Sequence, residues 1–116
     1  MRHKHAIRSR IRITDDDGVI AIGPGKADLL DAIRRTGSIR AAAADRGMSY
    51  MRAWSLIRTM NSGFRSPLVE KVRGGAHHGG ARLTKRGETV LELYRRMSKE
   101  AEKAVSKTWK ELQKHF

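Results

Sequence analysis

A chain of 116 residues is one domain's worth, enough for a modest core and too little for that core plus a separate ligand-binding domain. Lys and Arg total 25 against 12 Asp and Glu, a net charge of +13 that suits a polyanionic partner better than the near-neutral balance of an average enzyme. Without cysteine there is no disulfide, thiolate metal site or cysteine nucleophile, and no apolar run approaches the roughly 20 residues needed to span a bilayer.

In chain order, Ile7, Ser9, Ile11 and Ile13 alternate with Arg8, Arg10 and Arg12, the period of a half-buried strand. Asp15-Asp16-Asp17-Gly18 supplies a turn and Val19 to Ile22 a returning strand, which predicts an N-terminal hairpin over 7–22. After Gly23-Pro24-Gly25, Ala27, Leu29, Leu30 and Ile33 fall at helical spacing until Gly37. Ser38 is a suitable cap for a second helix, Ile39 to Arg46, whose four consecutive alanines let a neighbour approach closely. Gly47 ends it, and Ser49 caps a third helix running to about Ser62, with Ala53, Ile57, Met60 and then Phe64 toward the core.

Two short helices across a tight Gly-containing turn make a helix-turn-helix. Behind them, Leu68 to Arg73 and Ala81 to Thr84 read as strands around the glycine-rich tip Gly74 to Gly80, a wing over 68–84. From Thr84 onward no proline, and no glycine after Gly87, interrupts the chain, so one helix of roughly 30 residues is expected over 85–116. Val90, Tyr94, Met97, Ala101, Ala104 and Thr108 step along it by four and three, a coiled-coil seam that Leu91, Val105 and Leu112 widen. A second copy is expected to cover that stripe, with Val90, Tyr94, Met97, Ala101 and Val105 as the dimerisation residues. The fold class is therefore mainly α with small β-hairpins: a winged helix-turn-helix over 1–84, its three helices over 26–62, followed by a long dimerisation helix.

In such a unit the third helix enters the major groove while the preceding helix crosses the backbone. Ser49, Tyr50, Met51, Arg52, Ser55 and Arg58 combine hydroxyl, guanidinium and apolar groups able to read acceptors and thymine methyls; for Arg52 and Arg58 a solvated helix face is the lesser alternative, given the helix-turn-helix around them. Trp54 lies between the faces and reads first as packing. Ser38 and Arg40 at the second helix's start can hold phosphate, with plain capping as the alternative for Ser38. In the wing, Arg73, His77, His78 and Arg82 are donors around four glycines, for a minor groove or a phosphate. No metal site is expected: His77-His78 lacks further ligands, His3 and His5 are isolated, and Asp15 to Asp17 lack the alternating ligands of a calcium loop. No phosphate-cradling loop, serine elbow or placed carboxylate pair appears, so neither an enzyme nor a cofactor is expected.

The stretches TGSIRAAAADRGMSYMRAWSLIRTMN and PLVEKVRGGAHHGGARLTKRGETVLELY carry a resemblance. With their small-residue run, GMSY, the AW pair, MN, PLVE and the glycine wing before LT, they resemble the DNA-binding domain of ModE-type molybdate-responsive regulators, themselves similar to LysR-type winged helices. The resemblance covers about two-thirds of the chain, residues 29–93 at its heart. It implies a DNA-binding homodimer in which the third helix reads the operator, the wings touch flanking backbone and terminal helices join the subunits. Family members bind molybdate in a separate C-terminal β-rich domain. This sequence ends after its long helix, so oxyanion sensing is carried to no residue and a small-molecule effector is not expected here.

The resulting reading is a cytoplasmic transcription regulator that binds double-stranded DNA as a homodimer, without a membrane partner. Its rivals are a protein-interaction module on a winged-helix scaffold and an architectural DNA binder without sequence preference. The mixed chemistry of the third helix, instead of uniform lysine, speaks against the latter.

Overall fold

In a computed structural model of the chain, residues 3–72 and 80–116 are described. Helix α1 (Pro24–Thr36) begins with proline at its first position, where the missing N–H costs nothing, and ends at Gly37. Gly37 takes the left-handed conformation, φ 70°, that glycine adopts without strain. Helix α2 (Ile39–Asp45) is capped by Ser38, whose hydroxyl accepts from the Ala41 N–H. Gly47, φ 65°, turns the chain into α3 (Tyr50–Gly63), where the Ser49 hydroxyl accepts from the Arg52 N–H. These three helices follow the expected spacing and caps, except that α1 begins at Pro24, inside the Gly23-Pro24-Gly25 stretch that reads as a break.

The core lies where α1 meets its neighbours. Leu29, Leu30, Ile33, Ile39, Ala42, Ile57, Met60, Leu68 and Leu91 are buried together, with Ala53 on the inner face of α3. Strands β3 (Val69–Val72) and β4 (Gly80–Leu83) pair antiparallel, Val69 opposite Leu83 and Val72 opposite Gly80. The Ala81 N–H donates to the Gly37 carbonyl, tying β4 to the α1–α2 loop.

Two elements depart from the sequence expectation. The N-terminal hairpin is far shorter: β1 (Ile13–Thr14) pairs with β2 (Ile20–Ile22) through an irregular register. The Asp15 turn forms, its carboxylate accepting from the Asp17 and Val19 N–H groups. Residues before Ile13 do not join the ladder. They form an extended arm on α4 (Lys85–Ala104), where Tyr94 donates to the Ile11 carbonyl at 2.7 Å and Ser9 donates through its N–H and hydroxyl to Glu102. The alternating apolar face that reads as strand is spent on a helix instead of on a neighbouring strand.

The single long helix is also broken. The backbone leaves helical geometry at Val105, φ −96° and ψ 1°, and resumes as α5 (Ser106–Gln113). Neither Gly nor Pro causes this. Adjacent Val105 and Ser106 are weak helix formers, and beyond the break Phe116 stacks on His5 of the arm with ring centroids 4.0 Å apart and lies 6.1 Å from Trp109. The helices still project: the radius of gyration is 17.0 Å, against about 13 Å for a compact chain of this length.

Candidate nucleic-acid interface

Helix α3 buries Ala53, Ile57 and Met60 and turns its opposite face outward. On that face Met51 is 76% exposed, and Arg52, Ser55 and Arg58 are exposed with it. Ser49 uses its hydroxyl oxygen as the cap, and Tyr50 is half-buried beneath Arg40, whose guanidinium lies 4.8 Å from the ring centroid. Arg40 thus joins α2 to the start of α3 through a cation–π contact. Ser38 is occupied as the α2 cap.

Trp54 and Lys71 form the seam between α3 and the wing. The Lys71 ammonium lies 4.6 Å from the centroid of the Trp54 ring, which meets Tyr50 edge-on at 6.3 Å. Lys71 is not among the residues that the sequence singles out; alternation puts it on the same face of β3 as buried Val69, the face turned to α3, and that position beside a third-helix aromatic is the signal that marks it. Arg82 is exposed but bonded across the hairpin to Glu70 at 2.7 Å, the residue directly opposite in register. Arg73, His77 and His78 lie outside the described residues.

The base of the wing is held by uncharged groups. Asn61 Oδ1 accepts from the Leu68 and Val69 N–H groups, and its Nδ2 donates to the Val69 carbonyl. Thr84 donates to the Pro67 carbonyl and caps α4 by accepting from the Gly87 N–H. Gly87 is buried against the Leu68 carbonyl so closely that a Cβ there would lie 2.1 Å from its oxygen. Only glycine permits that approach.

Ion pairing divides the arginines. On the face built from α1, α2 and α4, Asp31 accepts from Arg34, Arg35 and Arg95, while Arg35 also reaches Asp45, Arg34 reaches Glu88 and Arg46 reaches Asp28. Arg35, then Arg95 and Arg34, hold the Asp31 carboxyl down to about 2 against the opposing effect of burial. Around α3 the pattern reverses: among the described residues Arg10, Arg12, Arg40, Arg52 and Arg58 have no carboxylate within salt-bridge distance. Guanidinium groups without an internal partner are free to meet an external anion.

The expected dimerisation stripe is not free along its whole length. Tyr94 is buried within its own chain, and Val90, Met97 and Ala101 are half-buried, the first two packed on the core. Val105 remains 43% exposed. Leu93, missed because it falls one position off the Tyr94 register, is 50% exposed and with Val90 borders a groove of about 740 Å³ beside the wing base. Among the described residues no helix is long and apolar enough to cross a membrane, and no group of three or more His, Asp or Glu is placed to hold a metal ion.

The chain is 39% identical over 93 residues to the molybdenum transport protein ModE of Azotobacter vinelandii, covering 80% of this chain and 34% of that one. To the DNA-binding transcriptional dual regulator ModE of Escherichia coli it is 40% identical over 81 residues, 70% of this chain and 31% of that one. The molybdenum-pterin-binding protein MopA of Rhodobacter capsulatus is 40% identical over 74 residues, 64% of this chain and 28% of that one. The chain thus spans about a third of the length of these relatives. Its fold matches the crystal structure of the CbnR DBD–DNA complex with a TM-score of 0.59 at 21% identity, over 75% of this chain and 94% of that one. Residues 26–88, from α1 to the first turn of α4, match the family described as bacterial regulatory helix-turn-helix protein, lysR family, and to that family this chain belongs.

Proposed function

We propose that this chain binds double-stranded DNA sequence-selectively as a homodimer and regulates transcription in the cytoplasm, in the manner of the ModE proteins it resembles. The observation that carries the reading is the outer face of α3, where Met51, Ser55 and the carboxylate-free Arg52 and Arg58 offer thymine-methyl contacts, hydroxyls and bidentate donors on one rigid element. Ser49 and Tyr50 set the start of that helix; Arg40 and Lys71 flank it as phosphate donors, and Arg82, which would exchange its bond to Glu70 for a phosphate, is read with Arg73, His77 and His78 as a wing contact from the sequence alone.

The exposed Leu93 and Val105, continuous with half-buried Val90, Met97 and Ala101, are the surface for a second copy. Two recognition helices then lie one duplex turn apart and read a pseudo-palindrome with half-site centres about 10 base pairs apart. The molybdenum-related names of the relatives suggest the genes under control; we assign no oxyanion site to any residue of this chain, and no catalytic role.

Selection from a randomised duplex pool at two salt concentrations tests the reading. Enrichment of an inverted repeat whose preference survives higher salt supports it. Equal binding to every duplex, vanishing with salt, would leave only the basic surface and favour an architectural role. Arg58→Ala is expected to cost about 1–3 kcal/mol on the selected site and to relax one position of it; an unchanged preference removes Arg58 from base reading.

A further inference from the structure

Helix α3 is flanked on both sides. Trp54 and Asn61 face β3 and the wing. Arg52, two residues from Trp54 on a turn of about 3.6 residues and so nearly opposite it, faces the N-terminal hairpin. There Arg52, Met48 and Leu56 border a cleft of about 520 Å³ whose other wall carries Arg10, Arg12 and Lys26. Among the described residues four cations line this cleft and no carboxylate does. Lys26 is buried and spends its ammonium on the Ile20 carbonyl. Arg10 and Arg12 are exposed.

The arm that presents them is fixed. Ile11 packs against the core and accepts from Tyr94, while Ser9 bonds the Ser98 carbonyl and Glu102, so the residues between and beside these anchors turn outward. Alternate residues of an extended chain lie about 6.6 Å apart, far enough for two guanidinium groups to meet separate phosphates. Alternation alone makes these arginines the outer face of a strand. The fold instead carries them beside the recognition helix, on the flank away from the wing.

Building on the DNA-binding reading above, we propose that Arg10 and Arg12 form a second phosphate-gripping flank, so that the duplex held by α3 is clasped by the wing on one side and the N-terminal arm on the other. The arm's donors are guanidinium groups beside a cation-lined cleft. Its contribution is affinity and register, with no base selectivity.

The test uses the whole chain and a random-sequence duplex several helical turns long, titrated at a series of KCl concentrations. Arg10→Ala with Arg12→Ala is expected to lower the slope of log K against log salt by about 1.8 per bound protomer, about 0.9 for each phosphate no longer neutralised. Binding to preferred and scrambled duplexes should fall by the same factor, and the R10K/R12K pair should retain the slope. An unchanged slope overturns the proposal and leaves the cleft to an acidic protein segment; a weakening confined to the preferred duplex overturns the phosphate assignment.

A second measurement does not depend on the alanine variants. Because the chain has no cysteine, a photoactivatable thiol label can be placed singly by R10C or by M51C. Adducts from both positions are expected. Adducts from M51C alone overturn the arm contact and leave the recognition helix standing; adducts from neither overturn both.

Discussion

The two hairpins beside α3 both read in the sequence as a pair of short strands around a turn, and end as different structures. The wing β3–β4 is a regular four-pair ladder, clamped at its base by Asn61, Thr84 and the close approach of Gly87. The N-terminal pair is two or three residues long and irregular, and its arm is held by hydroxyls and one carboxylate on α4. Alternation specifies that one face must be covered. What covers it, a strand with matching register or a helix with matching polar anchors, is decided by the partner.

The comparison can be broken most forcefully at Gly87. Gly87→Ala places a methyl against the Leu68 backbone, which has no rotamer through which to yield, and is expected to cost about 3 kcal/mol or more, lowering the thermal midpoint by on the order of 10 °C; a midpoint within a degree of the parent would show that the wing base is not tight. Asn61→Ala leaves two inward-facing N–H groups and a carbonyl without partners, at about 2–3 kcal/mol in chemical denaturation. On the arm side, Tyr94→Phe removes one hydrogen bond, for about 1 kcal/mol, with faster amide exchange confined to the arm. Exchange spread evenly over the molecule would contradict separate anchoring.

The smallest effect is an acid response at the arm's anchor that the amide-held base of the wing does not share. The hydrogen bonds from Ser9 hold the Glu102 carboxyl below its usual 4.5. A carboxyl with a lowered folded value contributes in full above its unfolded value, and that contribution disappears as pH falls through the folded one. Ser9 amide protection should therefore drop below about pH 4.5, while the Leu68 and Val69 amides, bonded to an amide side chain, show no such step. Glu102→Gln should remove it; a pH-flat Ser9 amide in the parent would exclude the carboxylate as the anchor.

Much of the fold could be read from local rules. Ser38, Ser49 and Thr84 are helix caps where their positions suggest, and Ala53, Ile57 and Met60 form the buried face their spacing describes. Long-range choices were not legible. Nothing local says that Ile11 meets a helix 83 residues away, or that His5 and Phe116 stack and accompany the bend at Val105. The mixed composition of the outer face of α3 was legible in the sequence, yet the sorting of arginines into paired and unpaired groups needed the positions of Asp28, Asp31 and Asp45. Asn61 and Gly87 were missed for one reason: each acts on a backbone segment whose proximity appears only after folding.

The arm's anchors also set an order in time. Its contacts to α4 close loops of 83 and 93 residues, whereas the helix-turn-helix is built from neighbours, so the arm is the element whose ordering waits longest for its reward. During synthesis residues 3–12 leave the ribosome before α4 exists, and this cation-rich stretch stays without its seat until most of the chain has followed. A segment made before its seat on α4 is the one whose ordering waits longest.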